Sequence, residues 1–146
     1  MSQDTGRIVL DSSPGRLLKE ASSALRQAME EVLRPLGMTI THYACLELLA
    51  QRPGLSNSEL ARGAFVTRQS MNVLLQALQR DGLVTRPDQA SAGRVLPAEL
   101  TEAGRRQCAA ASAAVRAVED RMVEGLDSAD RARLIESLRR CIAALR

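Results

Sequence analysis

Aromatic side chains are almost missing. The 146 residues include one Tyr (Tyr43), one Phe (Phe65) and no Trp. A core made of Leu, Ala, Val and Met favours helices over a β-sandwich, because aromatic and β-branched residues favour strands. Nor is there a set of rings on which single-stranded nucleic acid could stack. Histidine is limited to His42, so a zinc site of the usual Cys/His spacing has no material. A Ser-His-Asp triad would have to recruit that same residue, and no nucleophile-elbow motif is present. The cysteines are Cys45, Cys108 and Cys141, an odd number at wide spacing and no disulfide framework. No apolar run approaches the roughly 20 residues of a membrane helix. The first residues, Met1 to Arg7, hold no apolar signal core. The expectation is a soluble cytoplasmic protein with no cofactor, no metal and no catalytic constellation.

What is present is ordinary for a globular chain: 45% apolar and 25% charged residues. The length suits one domain, or a small domain with helical extensions. The net charge is +3, and Lys19 is the only Lys. The charge is unevenly spread. Residues 52–94 hold six Arg (52, 62, 68, 80, 86 and 94) against Glu59, Asp81 and Asp88, so the whole excess lies in the middle third. Arginine's planar fork suits phosphates and guanine edges. A merely solvated surface would explain the same charge, so the motif in this segment has to decide.

Residues 1–10 read as a loose arm. Asp11-Ser12-Ser13-Pro14 is a helix start. Leu18, Ala21, Leu25, Met29 and Val32 then recur in steps of three and four, until Pro35-Leu36-Gly37 stops the helix. Thr39 can cap a second helix, with Tyr43, Leu46 and Leu49 inward. Ser56-Asn57-Ser58-Glu59 is a full capping box opening a short third helix. Thr67 caps a fourth, whose buried stripe is Met71, Leu74, Leu75 and Leu78; Asp81-Gly82 ends it. Leu83 to Arg86 reads as a short strand, residues 87–93 as a polar turn, and Arg94 to Leu100 as a returning strand that Pro97 confines to an edge. Thr101 caps a long helix carrying Cys108, Ala111, Val115, Val118 and Met122. Asp127 opens a last one with Leu134, Leu138, Cys141 and Leu145 on one stripe.

Residues 55–86 therefore form a helix-turn-helix followed by a hairpin, a winged helix. The 3.6 period turns Arg68, Gln69, Asn72, Val73 and Gln76 outward on the second helix of the motif. Arg pairs with guanine and Asn or Gln with adenine, each through two hydrogen bonds. Arg68, Gln69, Asn72 and Gln76 are the candidate base readers. Thr67, Ser70 and Arg94 are candidates for phosphates or the minor groove. The competing reading is a winged helix used for protein contact.

From Leu17 onward the chain resembles the multiple antibiotic resistance regulators, the MarR family. The resemblance rests on Leu36-Gly37-Met38-Thr39, Tyr43, the helix-turn-helix, Gly82-Leu83-Val84-x-Arg86 and Leu100-Thr101-x-x-Gly104. Gly93-Arg94-x-Leu96-Pro97-Ala98 resembles an actinobacterial subgroup. The wing departs from the family in one respect: Ala92 stands where the family has an Asp that helps to hold the wing.

The implied fold class is mainly α: a winged helix-turn-helix domain (38–101) with a two-stranded β wing, flanked by dimerisation helices at 11–36 and 102–146. The resemblance implies a homodimer on double-stranded DNA, at a pseudo-palindromic operator with half-sites about one turn apart. It also implies a repressor released by a small aromatic, phenolic or carboxylate ligand such as salicylate. Its pocket is expected between the first, second and fifth helices, near Arg16, Arg26, His42 and Tyr43. His42 could equally be a simple helix-start residue. One branch of the family senses peroxide through a Cys on the first helix. This first helix has none, and Cys108 and Cys141 read as small hydrophobes on apolar stripes.

Overall fold

The computed structural model describes residues 6–86 and 97–146. Capping side chains set the helix starts. Ser13 accepts the Arg16 N–H at 3.3 Å and Pro14 fills the first position of α1 (Pro14–Leu33). A short 3-10 turn, Arg34–Leu36, and Gly37 at φ 70° redirect the chain. The Thr39 hydroxyl accepts the His42 N–H at 3.1 Å and opens α2 (Ile40–Gln51). The Ser56–Glu59 capping box opens α3 (Asn57–Gly63), with both of its hydrogen bonds formed. Thr67 opens α4 (Arg68–Arg80).

The turn between α3 and α4 is a Schellman closure. The Phe65 N–H donates to the Arg62 carbonyl at 3.2 Å, and the Val66 N–H to that of Ala61 at 3.0 Å. This geometry puts Phe65 in the left-handed region at φ 59°.

After α4, Gly82 (φ 74°) leads into β1 (Val84–Thr85), which pairs antiparallel with β2 (Glu99–Leu100), Val84 opposite Leu100. Of the strand expected from Arg94, the described residues show Glu99 and Leu100 in the ladder, with Pro97 outside it. Ala98 is likewise outside the ladder, and residues 94–96 lie outside the described residues. Thr101 fastens the root of the hairpin to α5 (Glu102–Met122). Its N–H donates to the Leu83 carbonyl at 3.0 Å, and its hydroxyl donates to the Gly82 carbonyl at 2.6 Å while accepting the Gly104 N–H. Asp127 caps α6 (Ser128–Ala144).

The core centres on α2, α4 and α5, through Cys45, Leu46, Leu49, Met71, Leu75, Leu78, Cys108, Ala111 and Val115, with Leu33 from α1, Leu60 from α3 and Val84 from β1. α5, which the sequence groups with the flanking dimerisation helices, also packs into this core, because Cys108, Ala111 and Val115 face α2 and α1. Among the described α-helices, α6 alone buries none of its residues. Among the described residues no helix is long and apolar enough to cross a membrane.

Candidate nucleic-acid interface

The amphipathic pattern of α4 becomes two distinct faces. Met71, Leu74, Leu75 and Leu78 are buried against α3 and the core. Arg68, Gln69, Ser70, Val73 and Gln76 are exposed, Val73 to 59%. At the helix start the Thr67 oxygen accepts the Ser70 N–H at 3.0 Å, and its hydroxyl donates to the Ser70 hydroxyl at 3.0 Å. The guanidinium of Arg68 donates to the Ser58 hydroxyl at 3.4 Å, a long bond that a phosphate or base edge could replace. In the brace helix, the Ser56 backbone N–H holds the Glu59 carboxyl below the usual carboxylate range. One face of α4 is thus free to enter a groove, and α3 fixes its other side.

Asn72 departs from the outward set. It is half-buried, and its side-chain oxygen accepts a bond from Arg86 at 3.3 Å. The reason is its place at the edge of the buried stripe, beside Met71, where the chain leaving β1 brings Arg86 across it. Arg86 Nε is buried and has no hydrogen-bond partner among the described residues. The pair couples α4 to the root of the hairpin, a link that no local pattern in the sequence announces. Arg94, Ala92 and Gly93 lie outside the described residues.

The four expected pocket residues do not gather in one place. Arg16 and Arg26 are exposed on α1, and the cavity of about 210 Å³ between α1 and α5 is lined by Ala21, Ala24, Leu25, Ala28, Val118, Arg121 and Met122 instead. His42 lines a groove of about 510 Å³ with Thr39, Thr41, Gln69, Ser70 and Val73, so it faces α4. Tyr43 turns the other way, toward Glu47 and Ser112. Burial, reinforced by the Glu47 charge, pushes its hydroxyl up to about 12.

Glu47 was not singled out in the sequence, although it sits one turn after Tyr43 on α2. Its carboxylate accepts from Gln51 at 2.6 Å and from the Cys108 thiol at 3.4 Å. Burial raises its pKa, but the donors around it, Gln51 first, outweigh burial and leave it below the ordinary value. The α2–α5 junction therefore already contains an ionised carboxylate. A carboxylate ligand there would meet like charge.

Burial raises both Cys45 and Cys108 to about 12, with the Glu47 charge adding to the effect at Cys108. Such thiols are poor nucleophiles, since the thiolate is the reactive form. Cys141 is exposed. We expect the Cys45 and Cys108 thiols to react with a thiol reagent near neutral pH only as the chain unfolds. Reaction of either before unfolding would contradict this burial. Among the described residues no group of His, Cys, Asp and Glu is placed to hold a metal ion.

A MarR family model matches residues 36–95, which run from the 3-10 turn after α1 through the helix-turn-helix and past β1. The HTH-type transcriptional repressor Rv2887 of Mycobacterium tuberculosis is 45% identical over 116 residues, 80% of this chain and 84% of the relative. The chain belongs to the MarR family. Its fold agrees at the level of coordinates. The crystal structure of Rv2887 in complex with salicylic acid superposes with a TM-score of 0.75 at 40% identity, covering 91% of this MarR-family chain and 99% of the other. The structure of Rv2887 in complex with DNA gives 0.72 at 37% identity, covering 88% and 98%.

Proposed function

We propose that this MarR-family chain acts as a homodimeric repressor of transcription that reads operator DNA through α4. The observation that carries this reading is the exposed face of α4, where Arg68, Gln69 and Gln76 are turned to solvent on a helix fixed from behind. Arg68, Gln69 and Gln76 read base edges, with Asn72 contributing what its bond to Arg86 leaves free. Thr67 and Ser70 meet a phosphate at the helix start, and Arg94 reaches backbone or minor groove from the wing. Val73 supplies an apolar contact to a thymine methyl. The DNA complex of Rv2887 supports this use of the fold.

The dimer is supported by unpaired apolar surface at both ends of the chain. Ile8, Val9, Leu10, Leu17 and Leu18 are exposed near the start, and Ile135, Ile142 and Leu145 on α6. Residues 11–36 and 102–146 would supply the interface, and 38–101 the DNA-binding region. The effector is a small aromatic or acidic molecule, a reading the salicylic acid complex of Rv2887 supports. For a carboxylate, the His42 groove against α4 is a better seat than the Glu47 junction, because it holds no acidic side chain. A ligand there releases DNA if it prefers the unbound placement of α4. In this reading the protein works in the cytoplasm, where its DNA is, and catalyses nothing.

Footprinting of the DNA upstream of its own gene tests the reading. It should show a protected pseudo-palindrome with half-sites about one helical turn apart. Arg68→Ala should weaken operator binding by about 1–3 kcal/mol and relax preference at one base pair per half-site. An equal loss on operator and random DNA would remove Arg68 from base reading.

A further inference from the structure

Phe65 carries two local penalties at once. It occupies the left-handed position of the Schellman turn at φ 59°, and among the described non-glycine residues it alone has a positive φ. Elsewhere the chain places Gly at such positions, as at Gly37, Gly54 and Gly82. The ring is also 86% exposed, in a chain with one other aromatic residue, half-buried Tyr43. A glycine would remove the strain and the exposed ring together, and the turn's backbone hydrogen bonds would remain. The side chain therefore has to be accounted for outside the described fold.

Its surroundings indicate a partner. Phe65 lies two residues before the cap of α4, between exposed Arg62 and Arg68, and Arg52 and Arg62 share with it a groove that holds one acidic residue, Glu59. The Thr67 cap and the N–H groups of the first turn of α4 lie next along the chain. This is a cationic rim around an apolar ring, at the end of the helix that enters the groove. Polyanionic backbone with apolar sugar faces matches it.

We propose that Phe65 is a DNA-backbone contact, its ring packing on deoxyribose at the edge of each half-site while Arg62, which shares its groove, engages a flanking phosphate. The proposal rests on the DNA-binding reading above and adds a residue class to it. Sugar contacts are blind to sequence and carry no charge. Loss of the ring therefore lowers affinity for operator and random duplexes alike and leaves the dependence on salt unchanged. Arg68 should behave differently on both counts.

The test compares wild type, Phe65→Gly and Phe65→Tyr on a duplex containing the footprinted sequence and on a random duplex of equal length. Phe65→Gly should lose about tenfold or more on both, the worth of a buried ring, with an unchanged salt slope. Its melting temperature should stay level or rise by about 2–4 °C as strain is relieved. Phe65→Tyr, which keeps the ring, should retain most of the affinity. A Phe65→Gly protein that melts normally and binds both duplexes like wild type would overturn the proposal and leave the DNA-binding reading standing. So would a change in its oligomeric state, which would place Phe65 between copies of the chain. A wild-type protein that binds neither duplex would overturn both.

Discussion

Replacing Gly104 with Ala is expected to destabilise the protein by about 3 kcal/mol, at the upper end of overpacking effects. A Cβ on Gly104 would lie 2.1 Å from the Leu83 carbonyl oxygen, 3.1 Å from its carbon and 3.3 Å from Leu100 Cδ2. The oxygen cannot simply retreat. It accepts the Thr101 N–H, and the Thr101 hydroxyl holds the neighbouring Gly82 carbonyl. Moving Leu83 thus loosens the cap of α5 and the root of the wing together. Gly63 is the useful contrast: a Cβ there meets only the end of the Leu48 side chain, at 2.9 Å, and that end can rotate. Urea unfolding of the two Ala variants would separate them. A lowered midpoint at unchanged slope is expected for Gly104→Ala and little change for Gly63→Ala. Equal midpoints would show that the contact at Leu83 is relieved without cost.

Substituting Ile142 with Asp is expected to split the dimer and lower operator affinity by about 100-fold or more. Ile142 lies on α6, which has no buried residue in the single chain, and Leu145, three residues on at the end of the same helix, is 89% exposed. A charge placed in an apolar interface must be desolvated without a partner. Two linked recognition helices bind the second half-site at high effective concentration, and a monomer loses that advantage. Sedimentation velocity and operator titration on the same sample would check both effects. A variant that remains dimeric would place the interface elsewhere. A monomer with undiminished affinity would separate dimerisation from DNA binding.

Much of this architecture was legible before any coordinates. Ser13, Thr39, Ser56, Thr67, Thr101 and Asp127 all cap the helices they were expected to open, because a cap is a local interaction within three residues. The stripe Met71, Leu74, Leu75, Leu78 is buried as its period required. What stayed hidden depends on contacts distant in the chain or on a residue in an unaccustomed role. Arg86 reaches Asn72 across fourteen positions, and Cys108 reaches Glu47 across sixty-one. Phe65 concealed its turn, since Gly is the usual sign of a left-handed closure. The expected effector residues separated because α2 points His42 toward α4 and Tyr43 toward α5, adjacent positions on a helix lying about 100° apart.

The central claim is that the exposed, arginine-bearing face of α4 reads DNA. The most direct test is a titration of the protein against its footprinted operator and a random duplex, from 50 to 200 mM salt, with and without salicylate. If several phosphates are engaged, affinity should fall by about 10³-fold or more over that range, with the operator preferred throughout. Relief by salicylate would add the acidic effector. Binding that ignores salt, or that treats operator and random DNA alike, would contradict the account.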